Sequence, residues 1–233
     1  MIKKIVGLLL AVFVMQFSMA YVFENNHKGV QLWAGGPYWA ETNIGAQNSS
    51  DYGYYFWWGD TVGYKRVNGK WVASDGSLSN FSFSNAPTYG EFGKSNSTLQ
   101  SEGWITSCGV LASSHDAARA HWGSNWRMPT DCEQQSLVDN CTWTWTTKNG
   151  VYGYEVRGKG NYSGASIFLP AAGYGFGTYL NDAGSYGYYW SSVPYSDFNH
   201  CSWFLYLDSS YHSTENCGFR YYGHPVRPVS DVR

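Results

Sequence analysis

Aromatic rings recur along this chain in short clusters, YGYYFWW at 52–58, TWTWTT at 142–147 and SYGYYWSS at 185–192, with glycine, serine or asparagine close on both sides of each. Such punctuation leaves little room for long helices. It favours short strands joined by ordered loops. Strands are expected at 29–34, 54–58, 153–157, 166–169, 188–191, 203–207 and 222–226. Residues 61–98, rich in Ser, Asn and Gly, read as an inserted surface loop with one hairpin at Asn68 and Gly69. YGYYFWWGD at 52–60 is echoed by YGYYWSS at 186–192, but the flanks differ, so the two share strand chemistry and are not a repeat.

Two segments carry helix signals. The first is 115–121, HDAARAH, with Ser114 expected as N-cap and Asp116 in the first turn, where a negative charge suits the helix dipole. The second follows Pro129: Thr130 is the expected N-cap, Glu133 completes a capping box, Leu137 and Val138 turn inward, and the helix ends near Asn140.

Lys3 and Lys4 precede an apolar run from Ile5 to about Phe17, and Ser18 and Ala20 place small residues before a cleavage point, the layout of a secretory signal peptide over residues 1–20. The run falls short of the roughly 20 apolar residues a membrane span needs. Tyr21 stands where a lipoprotein would carry cysteine. The expectation is one secreted domain, 21–233, in the periplasm, at the cell surface or outside the cell, with no membrane span in the mature chain.

Removing residues 1–20 takes Lys3 and Lys4 and no acid, so 13 cationic side chains face 17 acids, a net charge of −4. Nucleic acid is not an expected partner, because its recognition needs clustered Lys and Arg. Rings make up 19% of the chain and charged residues 14%, so many Tyr and Trp must reach the surface or line clefts.

The five cysteines, Cys108, Cys132, Cys141, Cys201 and Cys217, leave at least one thiol unpaired or bridging chains. A helix would hold Cys132 and Cys141 about 13 Å apart, beyond disulfide reach. Cys201 and Cys217 flank a strand, turn and strand, and a disulfide between them is a possible pairing.

No catalytic constellation stands out. Glu41, Asp60, Asp182 and Asp208 are acids near aromatic runs, but turn capping and solvation account for each. His115 and His121 fall on different faces of one helix, and His200, His212 and His224 lack ligand spacing, so neither a metal nor another cofactor is expected. The stretch 185–223 is distinctive: Tyr and Ser dominate, with Asn, Asp, His and Gly between them, the composition of a paratope. The expected contacts are Tyr195, Ser196, Asp197, Phe198, His200, Tyr211, His212 and Tyr221, through ring stacking and hydrogen bonds.

The runs DYGYYFWWGDTVGY (51–64), HDAARAHWGSNWRMPTD (115–131), NCTWTWTTKNGVYGY (140–154), SIFLPAAGYGFGT (166–178), GSYGYYWSS (184–192) and YYGHPVRPV (221–229) resemble the Fibrobacter succinogenes major paralogous domain, in order and over nearly all of residues 21–233. The resemblance implies an α+β, C-type-lectin-like fold with short strands, two helices and long ordered loops. That fold is shared by formylglycine-generating sulfatase-modifying domains and by the variable proteins of diversity-generating retroelements. It also implies architectural roles for Arg127, Thr130 and Arg227.

The close C-terminal cysteine pair of the sulfatase-modifying enzymes is missing, and WSS at 190–192 lacks the carboxylate of calcium-dependent lectins. Mutagenesis of adenines in AAC codons never yields Trp, Glu, Lys, Gln or Met, and between Val193 and His224 only Trp203 and Glu215 belong to that set. On this view Cys201 and Cys217 are incidental products of variation. The resulting expectation is a non-enzymatic module that binds an extracellular protein or glycan. A passive cell-envelope protein is the alternative, and a sulfatase-modifying-type enzyme or a glycosidase is a third reading.

Overall fold

The computed structural model describes residues 21–77, 82–85 and 92–231; the signal-peptide expectation and part of the 61–98 insertion lie outside them. The chain opens with β1 (Tyr21–Glu24), β2 (His27–Gln31), β3 (Tyr38–Ala40), β4 (Tyr55–Phe56), β5 (Tyr64–Val67) and β6 (Lys70–Ala73). Next come α1 (Asn96–Ser101), α2 (Ala117–Trp122), β7 (Trp126–Arg127), α3 (Asp131–Asn140), β8 (Thr142–Lys148), β9 (Val151–Arg157) and β10 (Ser166–Pro170). The remainder is strand: β11 (Tyr174–Phe176), β12 (Tyr179–Asn181), β13 (Gly187–Pro194), β14 (Cys201–Leu207), β15 (His212–Phe219), β16 (His224–Pro225) and β17 (Val229–Ser230). Strand outweighs helix by 40% to 14%, so the architecture is α+β with β dominant. Among the described residues no helix is long and apolar enough to cross a membrane.

Among the described residues the strands form five antiparallel sheets, ordered β1-β2-β3-β17-β7, β16-β4-β5-β6, β10-β9-β8, β13-β14-β15 and β11-β12. β17 lies between β3 and β7, so the end of the chain completes the first sheet from within. Two apolar cores flank the β13-β14-β15 sheet. Tyr189, Leu205 and Leu207 join Leu137 of α3, Trp39 and Leu169 in the first. Trp190 and Phe204 join Phe56, Trp58, Leu99 and Trp126 in the second.

The echoed segments 52–60 and 186–192 meet in space. The Trp190 indole donates to the Phe56 carbonyl and the Trp58 indole to the Ser191 carbonyl, both at 2.9 Å. Aromatic strands with opposed indoles thus cross-link two sheets without sharing a ladder.

α3 matches its sequence signals: Thr130 caps the helix, Glu133 completes the box, and Leu137 is buried with Val138 packed beside it. α2 starts later than expected because Asp116, not Ser114, is its cap. The Asp116 carboxylate accepts from the Ala118 and Arg119 amides, at 2.9 and 3.1 Å, and from the Met128 amide just past β7. α1 was not expected; Ser95 caps it and Leu99 reaches the second core.

The hairpin at Asn68 and Gly69 is formed, with φ of 50° and 75°, the left-handed pair that a two-residue type I′ turn requires. The reading of 61–98 as surface loop is corrected. β5 and β6 bring Tyr64 and Trp71 onto Phe83, and with Tyr55, Trp57 and Phe92 these rings make a third core.

Arg227, between β16 and β17, is fully buried. Its guanidinium donates to Asn43 Oδ1 (2.8 Å), the carbonyls of Ala40 and Glu41 (3.0 Å each) and the Phe168 carbonyl (2.8 Å). One side chain thereby ties the final segment to β3, to the loop after it and to β10. Replacing Arg227 with Met should cost about 3 kcal/mol or more, because each buried acceptor left without a donor carries its desolvation penalty. Lys should rescue little, since one ammonium cannot span the four acceptors. Urea unfolding of the two variants checks this.

Candidate functional site

On the β13-β14-β15 sheet, Tyr188 and Tyr206 pack against the second core, and from them ring follows ring in both directions. Tyr188 meets Tyr174 at 5.2 Å between centroids, Tyr174 meets Tyr222 at 5.1 Å, Tyr222 meets Phe219 at 5.7 Å, and Phe219 meets Phe198 at 6.1 Å. In the other direction Tyr188 meets Tyr206 at 5.6 Å, and Tyr206 meets Tyr186 at 6.0 Å and Tyr211 at 6.3 Å. The result is an unbroken aromatic ribbon from the loop after β13 to the turn after β14.

Exposure gives the ribbon its character. Of the nine large apolar side chains exposed among the described residues, Phe176, Tyr179, Tyr186, Phe198, Tyr211 and Tyr152 lie on the ribbon or beside it. Clustered exposed apolar side chains carry a meaning that scattered ones do not.

Two carboxylates punctuate the ribbon. The Tyr188 hydroxyl donates to Asp182 at 3.1 Å and the Tyr206 hydroxyl to Asp208 at 2.8 Å. Burial, reinforced by these carboxylates, holds both phenols above their ordinary range. Burial pushes Asp208 up, but hydrogen bonds from the Ser210 and Tyr211 amides and from the Ser210 and Tyr206 hydroxyls bring it below the usual carboxylate range. Asp208 therefore stays an ionised acceptor.

Recesses open along the ribbon. One, of about 280 Å³, lies among Tyr174, Tyr188, Phe204, Phe219 and Tyr222, with Asp182 and His224 also in its lining. Gly218 keeps it open, since a Cβ there would stand 3.0 Å from the His224 ring and 3.1 Å from Phe204. Another, of about 360 Å³, is lined by Trp145, Tyr152, Tyr186, Asp208, Ser209 and Ser210.

The residues singled out from sequence fall into two groups at opposite ends of the sheet. Tyr195, Ser196, Asp197, Phe198 and His200 follow β13, and Tyr221 joins them by stacking on Phe219 at 5.0 Å. Tyr211 sits at the other end of β14, whose seven residues span roughly 20 Å. The ribbon is what connects the two groups. Tyr195 packs edge-on against Trp203 at 4.6 Å, and Ser196 donates to Asp197 at 2.8 Å. His212 leaves the set: it stacks on Trp143 at 4.4 Å and meets Tyr154 at 5.2 Å beside the first core, and burial lowers its pKa. Tyr174 and Phe219 escaped the sequence reading, and Asp182 figured there only as an acid near an aromatic run, because only the fold brings β11 and the 182–186 turn onto this sheet.

The Cys201–Cys217 disulfide is not formed; all five thiols are free. Register explains it. Cys201 stands opposite Phe219 and Cys217 opposite Trp203, a diagonal pair whose Cα atoms are typically about 7–8 Å apart, beyond the roughly 4.4–6.8 Å of a disulfide. The two thiols still touch. Burial first, then the hydrogen bond to Cys217, pushes the Cys201 thiol up to about 12.

The other candidate acids lie elsewhere. Glu41 shares a cleft of about 270 Å³ with Glu155, yet Glu41 is paired with Lys28 at 3.1 Å and Glu155 with Arg157 at 2.7 Å. Asp60 lines a recess with Trp57, Trp104 and His115, and burial raises its carboxyl. No group of three His, Cys, Asp or Glu side chains suited to a metal occurs among the described residues. Comparison with family models, curated proteins and solved structures returned no match to this chain.

His224 lies beneath the ribbon, stacked on Trp190 at 4.0 Å with its Nδ1 unpartnered, and burial pushes it down to about 3. This lies below the 6.5 of an unfolded histidine, so between these values the native state binds fewer protons than the unfolded chain. Stability contributed by the neutral ring is therefore present above about pH 6.5 and is lost toward pH 3, at a slope of up to about 1.4 kcal/mol per pH unit. Asp60 and Asp116, raised by burial, act in the opposite sense at the acid end. Comparing His224→Phe with the parent from pH 7 to pH 4 isolates the histidine: the parent should lose stability more steeply than the variant, by about one proton's slope.

Proposed function

We propose that this protein is a secreted, non-enzymatic binding module of C-type-lectin-like architecture that holds an extended glycan along the aromatic ribbon. The observation that carries the reading is the continuous run of rings from Phe198 to Tyr211, with Tyr–Asp hydrogen bonds at Asp182 and Asp208. Tyrosine rings offer apolar faces with polar tips to a wet ligand, and carboxylates accept hydrogen bonds from its hydroxyls. The open recess beside Tyr186, with Asp208, Ser209 and Ser210, adds small polar groups of the kind that adapt to such a ligand.

The C-type-lectin-like part of the reading draws on the capped α3 behind the sheet, on buried Arg227 near the end of the chain, and on the motifs that resemble the Fibrobacter succinogenes domain. Under retroelement diversification, the exposed stretch 196–199 and the turn at 208–211 are the variable positions, and Trp203, packed beneath Tyr195, is a fixed one.

Affinity electrophoresis against soluble β-glucans, xylans, mannans and amino-sugar polymers tests the proposal. At least one polymer should retard the protein. Tyr186→Ala with Tyr211→Ala should weaken that binding about tenfold or more, while stability changes by less than about 1 kcal/mol because both rings are exposed. His212→Ala should do the reverse, lowering stability and leaving retardation unchanged. Retardation by no polymer, with binding to a secreted protein instead, would assign the ribbon to protein recognition. No binding of either kind would leave the passive envelope role.

A further inference from the structure

The recess at the centre of the ribbon is lined mainly by aromatic rings. Its walls are five rings meeting at steep angles: 76° between Tyr174 and Tyr188, 88° between Phe219 and Tyr222, and 47° between Tyr174 and Tyr222. Its one carboxylate is Asp182, and neither Lys nor Arg is in the lining. The histidine in its lining, His224, is buried and held neutral.

The surroundings have the same sign. From Gly160 to Phe219 the chain contains Asp182, Asp197, Asp208 and Glu215 and not one lysine or arginine. Arg220, which follows, is buried, with its guanidinium on the carbonyls of Cys201, Phe92 and Lys94 and over the Trp58 ring. Arg66 reaches the β11–β12 turn but is engaged there by the Thr178 carbonyl and lies over Trp71.

Several aromatic rings around a small cavity with a carboxylate in its lining suit a cation. Ring quadrupoles attract positive charge, and Asp182 supplies the counter-charge. An anion would meet Asp182 and the ring faces. A purely apolar group would leave the carboxylate unused.

We propose that this cage binds an organic ammonium group carried by the ligand on the ribbon, whether a quaternary ammonium, the amine of an amino sugar or a lysine-like side chain. The inference rests on the ribbon being a ligand-binding face and names the chemistry of its central subsite.

The test is calorimetric titration of the full-length secreted protein with three cations, each set against an uncharged counterpart: choline against 3,3-dimethylbutan-1-ol, glucosamine against N-acetylglucosamine, and Nε-trimethyl-lysine against norleucine amide acetylated at its amine. At least one cation should bind about tenfold or more tightly than its counterpart, and the strongest of the three identifies the source. Asp182→Asn should weaken that cation about fivefold or more, and by a larger factor than its uncharged counterpart. The variant should fold: Asp182 holds φ of 60°, a conformation asparagine adopts readily, and an amide oxygen can still accept from Tyr188. Tyr174→Leu, which keeps bulk and removes a ring face, should also weaken cation binding. Equal affinity for charged and uncharged partners, or saturable binding by none of the three cations, overturns the cage. Polymer binding that survives such a result keeps the ribbon without the cage. Cation selectivity without polymer binding keeps the cage and removes the glycan.

Discussion

The buried guanidinium of Arg227 is the point on which the fold turns. With strands of two to eight residues and long loops between them, much of this backbone has no ladder partner, and its buried carbonyls must be met by side chains. Arg227 meets three of them and Asn43 at once. Arg220 does the same for the 92–94 segment, and the indoles of Trp58 and Trp190 and the hydroxyls of Tyr55 and Tyr189 each reach a loop or strand carbonyl from a different part of the chain. Large amphipathic side chains are therefore both the filling of the cores and the donors that satisfy the loops. This is why a chain with so few charges can order so much irregular backbone.

The same economy of residue type shapes the ribbon. Strand alternation sends Tyr189, Leu205 and Leu207 to one side of the β13-β14-β15 sheet and Tyr188, Phe204 and Tyr206 to the other. Tyr188 and Tyr206 are half-buried against the second core yet keep their hydroxyls on Asp182 and Asp208. Rings clamped at one edge by a core and at the tip by a hydrogen bond have little freedom left to lose, which under the proposed function preorganises the surface for a ligand. The loop after β13 and the turn after β14 extend that rigid centre at both ends and can vary without disturbing it.

What was legible in the sequence was local. The Thr130–Glu133 capping box and the Asn68–Gly69 turn each depend on residues within three positions of one another, and both formed as read. The alternation of Thr and Trp at 142–147 was visible but was not read as a strand, although it builds most of β8. The burial of Tyr64, Trp71, Phe83 and Phe92 was illegible because their partners are Tyr55 and Trp57, and nothing in a Ser- and Gly-rich segment announces a distant aromatic surface. The site shows the same division. Its composition was plain between 185 and 223, but its shape was not: antiparallel topology puts Tyr195 and Tyr211 at opposite ends, turns His212 toward Trp143, and brings in Tyr174 and Asp182 from outside the stretch.

The central claim is that these rings form one continuous contact surface and not merely a well-packed exterior. Aromatic carbon chemical-shift mapping on protein labelled at Tyr and Phe, titrated with the polymer that most retards it, reads this directly. The account predicts shifts that run together through Tyr186, Tyr206, Tyr188, Tyr222 and Phe219 while Tyr55 and Phe56 in the cores stay still. Shifts confined to residues around the Glu41–Glu155 cleft, with the ribbon unmoved, would contradict it.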